Sequence, residues 1–198
     1  GIGVVIDFTR HMRTLVEVDA EARTAVVQPG VVLDELRAAA GAHGLTFGPD
    51  PSTHSRCTLG GMIGNNSCGA HSVAWGTTAD SVQSLTVLGY GGQEWRLGQG
   101  WEGGPADLRP LVERNVALLR TGYPQGLPRR ISGYAVDALL PENGVDLARA
   151  FCGSEGTLGV VTEATVKLVE APRARALAVL GYADESAAAE AAAGLLSY

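Results

Sequence analysis

The chain has 198 residues, 45% of them hydrophobic, and a formal net charge of −6. That length supports one large domain, or one domain with a piece of another, without disulfide or metal staples. The acidic balance and the absence of a Lys/Arg run exclude a surface built for nucleic acid, and no apolar run is long enough to span a membrane. The three cysteines, Cys57, Cys68 and Cys152, form no C-x-x-C pair. They carry no zinc or iron–sulfur signature and read as reduced thiols of a cytoplasmic protein. Glycine stands out: 27 of the 198 residues, about twice the usual share of roughly 7%, with no repeat period.

Along the chain, Gly3–Phe8 ("GVVIDF") reads as a short buried strand. Leu15–Val18 and Thr24–Gln28 alternate on either side of "DAEA", which predicts a hairpin. Val31, Leu33, Leu36 and Ala40 recur at helical spacing, with Gly41 and Gly44 closing that helix. A turn-rich loop and a glycine-rich segment follow. "SVQSLTVLGYGGQEWRL" reads as strand, Gly-Gly turn and strand. A helix is expected over Asp107–Arg120, then a Pro/Gly-punctuated loop and a short helix at "DLARAF". Val160–Leu168 and Ala174–Tyr182 read as strands, and Asp184 as the N-cap of an alanine-rich helix. Strands and helices mix without regular β-α-β alternation, which predicts an α+β fold.

Three segments concentrate glycine or proline at the ends of elements. They are Gln28–Val32, Pro49–Gly69 and Gly153–Glu163. A phosphate-bearing ligand needs backbone N–H groups to converge on its oxygens, and side chains would block that approach. Gly60, Gly61 and Gly64, with Asn65, Asn66 and Ser67, offer bare backbone and short polar groups. The competing reading of each is a tight turn, in which Asn tolerates left-handed geometry. The one G-x-G-x-x-G run, at Gly98, Gly100 and Gly103, lacks the strand–helix context of a dinucleotide fingerprint. His54 and His71 read as loop or structural groups. No catalytic or metal-binding constellation emerges.

The segment "PDPSTHSRCTLGGMIGNNSCGAHSVAWGTTADSVQSLTVL", followed by "FCGSEGTLGVVTEATVKL", resembles the FAD-binding domain of the vanillyl-alcohol oxidase/p-cresol methylhydroxylase (PCMH) flavoproteins. Within them it is most similar to FAD-linked D-2-hydroxyacid dehydrogenases of the D-lactate, glycolate and D-2-hydroxyglutarate type. The resemblance implies a PCMH-type FAD-binding domain over residues 1–171, with its first subdomain partial and its second largely complete. It implies the start of a substrate domain over 172–198. Pro49, Asp50, Pro51 and Ser52 would line the flavin and ribityl side. Gly60 and Gly61 would let the chain pass close to FAD, and Gly64, Asn65, Asn66 and Ser67 would meet pyrophosphate or ribityl oxygens, with Thr58 and Gly69 in the same set. Glu155, Gly156, Gly159, Val160 and Val161 would wrap the adenine end. The implied partners are a small 2-hydroxy acid and an iron–sulfur electron-transfer domain or subunit, the latter suggested by "RRISGYAVDALLPENG". The alternatives are another flavin-dependent alcohol oxidase or a nucleotide-binding module without activity. A 198-residue piece of such an enzyme is expected to be inert alone and to bind FAD weakly.

Overall fold

The computed structural model describes residues 3–124, 126–127, 130–131 and 133–195. The two-residue periodicity at the start of the chain folds as a hairpin, β1 (Leu15–Asp19) with β2 (Thr24–Val27). The Asp19 carboxylate closes its turn by accepting the Glu21 and Ala22 N–H groups at 2.9 and 2.8 Å. The helical spacing that follows is α1 (Leu33–Gly41), whose Leu33, Leu36 and Ala40 are fully buried. Next come β3 (Leu45–Thr46), α2 (Leu59–Asn65), and the single turns α3 (Ser72–Trp75) and α4 (Thr78–Ser81). The second hairpin is β4 (Val82–Gly89) with β5 (Glu94–Leu97).

The helix expected over residues 107–120 is two, α5 (Leu108–Arg114) and α6 (Val116–Gly122). Asn115 leaves helical geometry between them, with φ −117° and ψ 14°. Its side chain instead donates to the Leu111 carbonyl at 2.8 Å, the local competition that disfavours Asn inside helices. Two 3₁₀ turns precede α7 (Leu147–Phe151), capped by the Asp146 carboxylate, which accepts from the Arg149 N–H at 2.8 Å. The chain then runs through β6 (Gly159–Lys167) and β7 (Val169–Glu170) to α8 (Glu185–Leu195). Asp184 caps α8 as expected, accepting from the Ala187 N–H at 2.8 Å.

The five long strands form one antiparallel sheet in the order β1-β2-β6-β4-β5, and β3 pairs with β7 apart from it. Only non-local pairing joins the two hairpins: β6 fits between β2 and β4. Ala25 and Val27, Leu85 and Val87, and Ala164 and Val166 point into one core with the apolar faces of α1, α2 and α7. The α+β expectation stands.

Three sequence readings are corrected. Gly3–Phe8 forms no strand: Val4 and Val5 are 91% and 94% exposed, and no described strand pairs with them. The Asp7 carboxylate turns the chain by accepting the Thr9 N–H and hydroxyl at 2.8 and 2.6 Å, and an extended run without a ladder partner has nothing to hold it. Ala174–Tyr182 is likewise unpaired, with Leu177 and Val179 exposed. The glycine-rich segment is largely not a loop. Leu59, Met62 and Ile63, at spacings of three and four, are fully buried on one face of α2. Burying three such side chains contributes roughly 1.5–3 kcal/mol each, which outweighs about 0.5–1 kcal/mol per glycine. Thr58 caps this helix, accepting the Gly61 N–H at 3.3 Å.

Among the described residues no helix is long and apolar enough to cross a membrane. All three cysteines are free, and Cys152 is buried at the end of α7. Burial pushes its thiol up to about 12, with Asp146 adding to the shift. Since the thiolate is the reactive form, treatment of the folded protein with iodoacetamide at mildly alkaline pH should leave Cys152 unmodified while the half-buried Cys68 reacts. Peptide mass mapping before and after unfolding checks this. Early modification of Cys152 would mean that α7 is not packed as described.

Candidate functional site

Two backbone hydrogen bonds bring the paired glycine motifs together. The Gly153 N–H donates to the Ile63 carbonyl at 2.9 Å, and the Glu155 N–H donates to the Gly64 carbonyl at 2.8 Å. The last carbonyls of a helix have no partner within it, so the end of α2 receives the loop that leads into β6. Asn66 ends the helix in left-handed geometry, φ 48°, and the Ser67 N–H reaches back to the Met62 carbonyl at 2.9 Å, a Schellman-type closure. The Asn66 side chain accepts the Ala79 N–H at 2.9 Å, which ties α2 to α4.

Around this junction lie two grooves of about 490 and 580 Å³. They share Asn65, Ser154 and Glu155 as a common wall. The first runs past Thr58, Gly60, Gly61 and Gly64 to Gly156, Gly159, Val160 and Val161, and is covered from the hairpin side by Tyr90. The second continues past Asn66, Ser67 and Cys68 to Tyr134 and Thr157. The two tyrosines hold the 153–158 loop from opposite sides. The Tyr90 hydroxyl donates to the Gly156 carbonyl, and the Tyr134 hydroxyl shares a hydrogen bond of 2.7 Å with the Thr157 hydroxyl. Thr157 in turn donates to the Ser154 carbonyl at 2.6 Å.

Of the residues singled out in the sequence, the structure therefore gathers twelve on these two grooves, Thr58 through Ser67 and Glu155 through Val161. Pro49, Asp50, Pro51, Ser52 and Gly69 line neither. The Pro49 carbonyl accepts from Arg37 at 3.2 Å. The Asp50 carboxylate holds His71, accepting its backbone N–H at 3.0 Å and bonding its Nδ1. Pro51 accepts the His54 N–H through its carbonyl at 2.9 Å, and Ser52 is exposed in the same turn. A side chain at Gly69 would strike the Asp50 backbone.

The glycines serve different ends. A Cβ on Gly60 would lie 2.5 Å from that of Pro29, and one on Gly159 would lie 2.8 Å from the Leu88 carbonyl oxygen. These two are bare because protein fills the space. Gly64 has nothing within 4 Å of a Cβ position, so its missing side chain leaves room in the groove. Gly156 is equally open but has φ 73°. The expectation of free N–H groups is corrected for Gly60, which donates to the Pro29 carbonyl at 2.9 Å, and for Gly61, which donates to Thr58. The Pro29 carbonyl and the Thr58 cap take these first-turn donors, which the helix itself leaves unpaired.

Ser154 escaped the sequence reading. It is 2% exposed, lines both grooves, and its hydroxyl has no hydrogen-bond partner among the described residues. Such an orphan costs about 1–3 kcal/mol. The signal was its place inside "GSEGTLG", next to Glu155, which was already suspected. Among the described residues neither groove is lined by Lys or Arg, and Glu155 is the one acidic side chain on both.

Polar groups spaced along an open groove, with an orphaned hydroxyl and a vacant glycine face, fit an extended ligand that hydrogen-bonds along its length. Residues 1–98 match the FAD binding domain family, which supports FAD as the cofactor. The chain is 33% identical over 199 residues to the D-2-hydroxyglutarate dehydrogenase of Pseudomonas putida, covering 91% of this chain and 19% of that protein. It is 34% identical over 195 residues to the glycolate oxidase subunit GlcD of Bacillus subtilis, covering 98% of this chain and 33% of that protein. The chain thus spans a fifth to a third of these relatives. Among solved structures, an alkyldihydroxyacetonephosphate synthase shares the fold at a TM-score of 0.55 and 24% identity, over 83% of this chain and 24% of that one.

The two kinds of glycine separate in a paired test. Gly60→Ala should lower stability by about 1–3 kcal/mol through overpacking against Pro29. Gly64→Ala should raise it by about 0.5–1 kcal/mol, as Ala replaces Gly inside a helix, while its methyl enters the groove and weakens FAD binding. Urea unfolding and flavin titration of both variants measure this. A Gly64→Ala protein that binds FAD with native affinity would remove that face from the site.

Proposed function

We propose that the chain is the FAD-holding portion of a flavin oxidoreductase that oxidises a D-2-hydroxy acid to the 2-oxo acid. The observation that carries this reading is the meeting of α2 with the 153–158 loop through the two backbone bonds to the Ile63 and Gly64 carbonyls. Motifs 90 residues apart in sequence have no other evident reason to share a groove with an orphaned serine. The relatives named for D-2-hydroxyglutarate and glycolate support the substrate class.

In this proposal the groove residues from Thr58 to Ser67 and from Ser154 to Val161 contact FAD. Pro49, Asp50, Pro51, Ser52 and Gly69 contribute by shaping the turn beside α3. Bound FAD supplies a ring that accepts hydride, while the chain supplies position and electrostatics. Tyr90 and Tyr134 fix the loop, Gly64 leaves the ligand room, and the polar side chains of Asn65 and Ser67, joined by a 2.5 Å hydrogen bond, present a pre-ordered edge. Residues 172–198 begin a second domain in this reading, where the substrate is held. The setting is cytoplasmic, which three free thiols fit. Electrons leave through an iron–sulfur domain or subunit.

The test uses the protein purified with any flanking sequence its gene encodes. It should be yellow, and acid precipitation should release the flavin into the supernatant as FAD. Under anaerobic conditions D-lactate, D-2-hydroxyglutarate or glycolate should bleach the flavin bands, and L-lactate should not. Bleaching by simple alcohols and by none of these acids would replace the hydroxy-acid reading with an alcohol oxidase. A protein that neither carries nor takes up flavin would end the proposal.

A further inference from the structure

A separate cavity of about 230 Å³ adjoins the end of the 153–158 loop. It lies where β5 contributes Trp95, α5 contributes Leu108, and α7 contributes Leu147, Ala150 and Phe151, with Leu158 of the loop as a further wall. Every lining side chain among the described residues is apolar or aromatic. The Tyr134 hydroxyl at its edge is already engaged by Thr157. The Trp95 ring lies along Gly89, where a Cβ would come within 2.8 Å of it, so the largest side chain of the wall rests on its own hairpin. Leu147 and Phe151 are buried, whereas Leu158 is 40% exposed and marks the mouth.

Protein interiors leave few voids larger than a water molecule. An apolar cavity offers water no partners and takes apolar rings instead; one of about 150 Å³ lined by Leu, Ile and Phe holds benzene. The space here is about half as large again, which suits two fused rings. Its walls are also those of the grooves. Phe151 lines the cavity and the first groove, and Tyr134 lines the cavity and the second. Leu158 lies between Thr157 and Gly159, one on each groove. We propose that this cavity binds one uncharged two-ring aromatic molecule of indole size, and that its occupation tightens FAD binding by bracing Phe151, Tyr134 and Leu158. The coupling rests on the FAD-holding role argued above; the cavity's ligand does not. A braced loop loses less freedom when FAD binds, and linkage then requires FAD to tighten the ring by the same factor.

Calorimetric titration of the flavin-free protein, purified with any flanking sequence its gene encodes, tests the site with indole as the probe. One indole should bind per chain with a Kd on the order of 0.1 mM, and benzoate, which carries a charge, should not displace it. Ala150→Leu and Leu108→Phe each add carbon atoms to the wall and should weaken indole about tenfold or more. Ala150→Leu should also raise the melting temperature, as cavity filling does, which separates a filled cavity from a damaged fold. Should it fail to fold, Leu108→Phe decides alone. Native indole affinity in the variants that fold would overturn the site, as would displacement by benzoate or no binding by the unaltered protein. FAD titration with and without saturating indole then reads the coupling, with a gain of about fivefold in FAD affinity expected. Unchanged or weakened FAD affinity would overturn the coupling. A protein that takes indole but no FAD would defeat the FAD-holding role and the coupling with it, while the cavity site stands.

Discussion

The site depends on two hydrogen bonds from the Gly153 and Glu155 N–H groups to the Ile63 and Gly64 carbonyls. They give the Gly64 carbonyl the partner a helix end lacks and the Ile63 carbonyl a second donor beside the Asn66 N–H, and they fix a loop from late in the chain against a helix from its first third. Everything on the groove follows from that docking. It sets where β6 begins, since Gly159 pairs with Gly89 only a few residues further on. It also places Ser154 under cover and leaves Glu155, with φ 49°, turned out beside it. A left-handed non-glycine residue is uncommon, and here the backbone bond at Glu155 holds it there.

The groove walls are made by removing side chains in one place and by packing in another. Gly60 and Gly159 allow α2 to lie on Pro29 and β6 to lie on β4. Those contacts seat the helix deeply enough for Leu59, Met62 and Ile63 to vanish into the core. Only then does Gly64 face open space at the right depth. One run of sequence thus builds a helix, its close packing and its vacant face.

The period-two patterns of β1 and β2, and of β4 and β5, were legible because a half-buried strand writes its alternation directly into the chain. The docking of the two motifs was legible only through a resemblance, since no local rule pairs residue 64 with residue 155. The helix α2 was legible in principle. Leu59, Met62 and Ile63 carry its spacing and Thr58 its cap, but the glycine count drew attention away from the apolar face. Gly3–Phe8 and Ala174–Tyr182 misled for the opposite reason: apolar runs specify a strand only when a partner edge exists. Tyr90 and Tyr134 could not be read at all. Each reaches the 153–158 loop by hydrogen bonds across 66 and 23 residues of sequence, and an isolated tyrosine in a turn has no pattern to announce that.

Ser154 links the fold to its use. Natural chains leave few buried polar groups without a partner, and a Gly or Ala at this position would remove the penalty of about 1–3 kcal/mol. Around it neighbouring polar groups are bonded within the protein: the Thr157 hydroxyl to Tyr134 and to the Ser154 carbonyl, and the Asn66 side-chain oxygen to the Ala79 N–H. The unsatisfied hydroxyl therefore marks the point where a rigid surround stops completing itself. A loop held by two tyrosines and by backbone bonds to α2 does not rearrange to supply a partner cheaply. In the proposed FAD-holding role the missing hydrogen bond is left to the ligand, which gains from it without having to order the loop first.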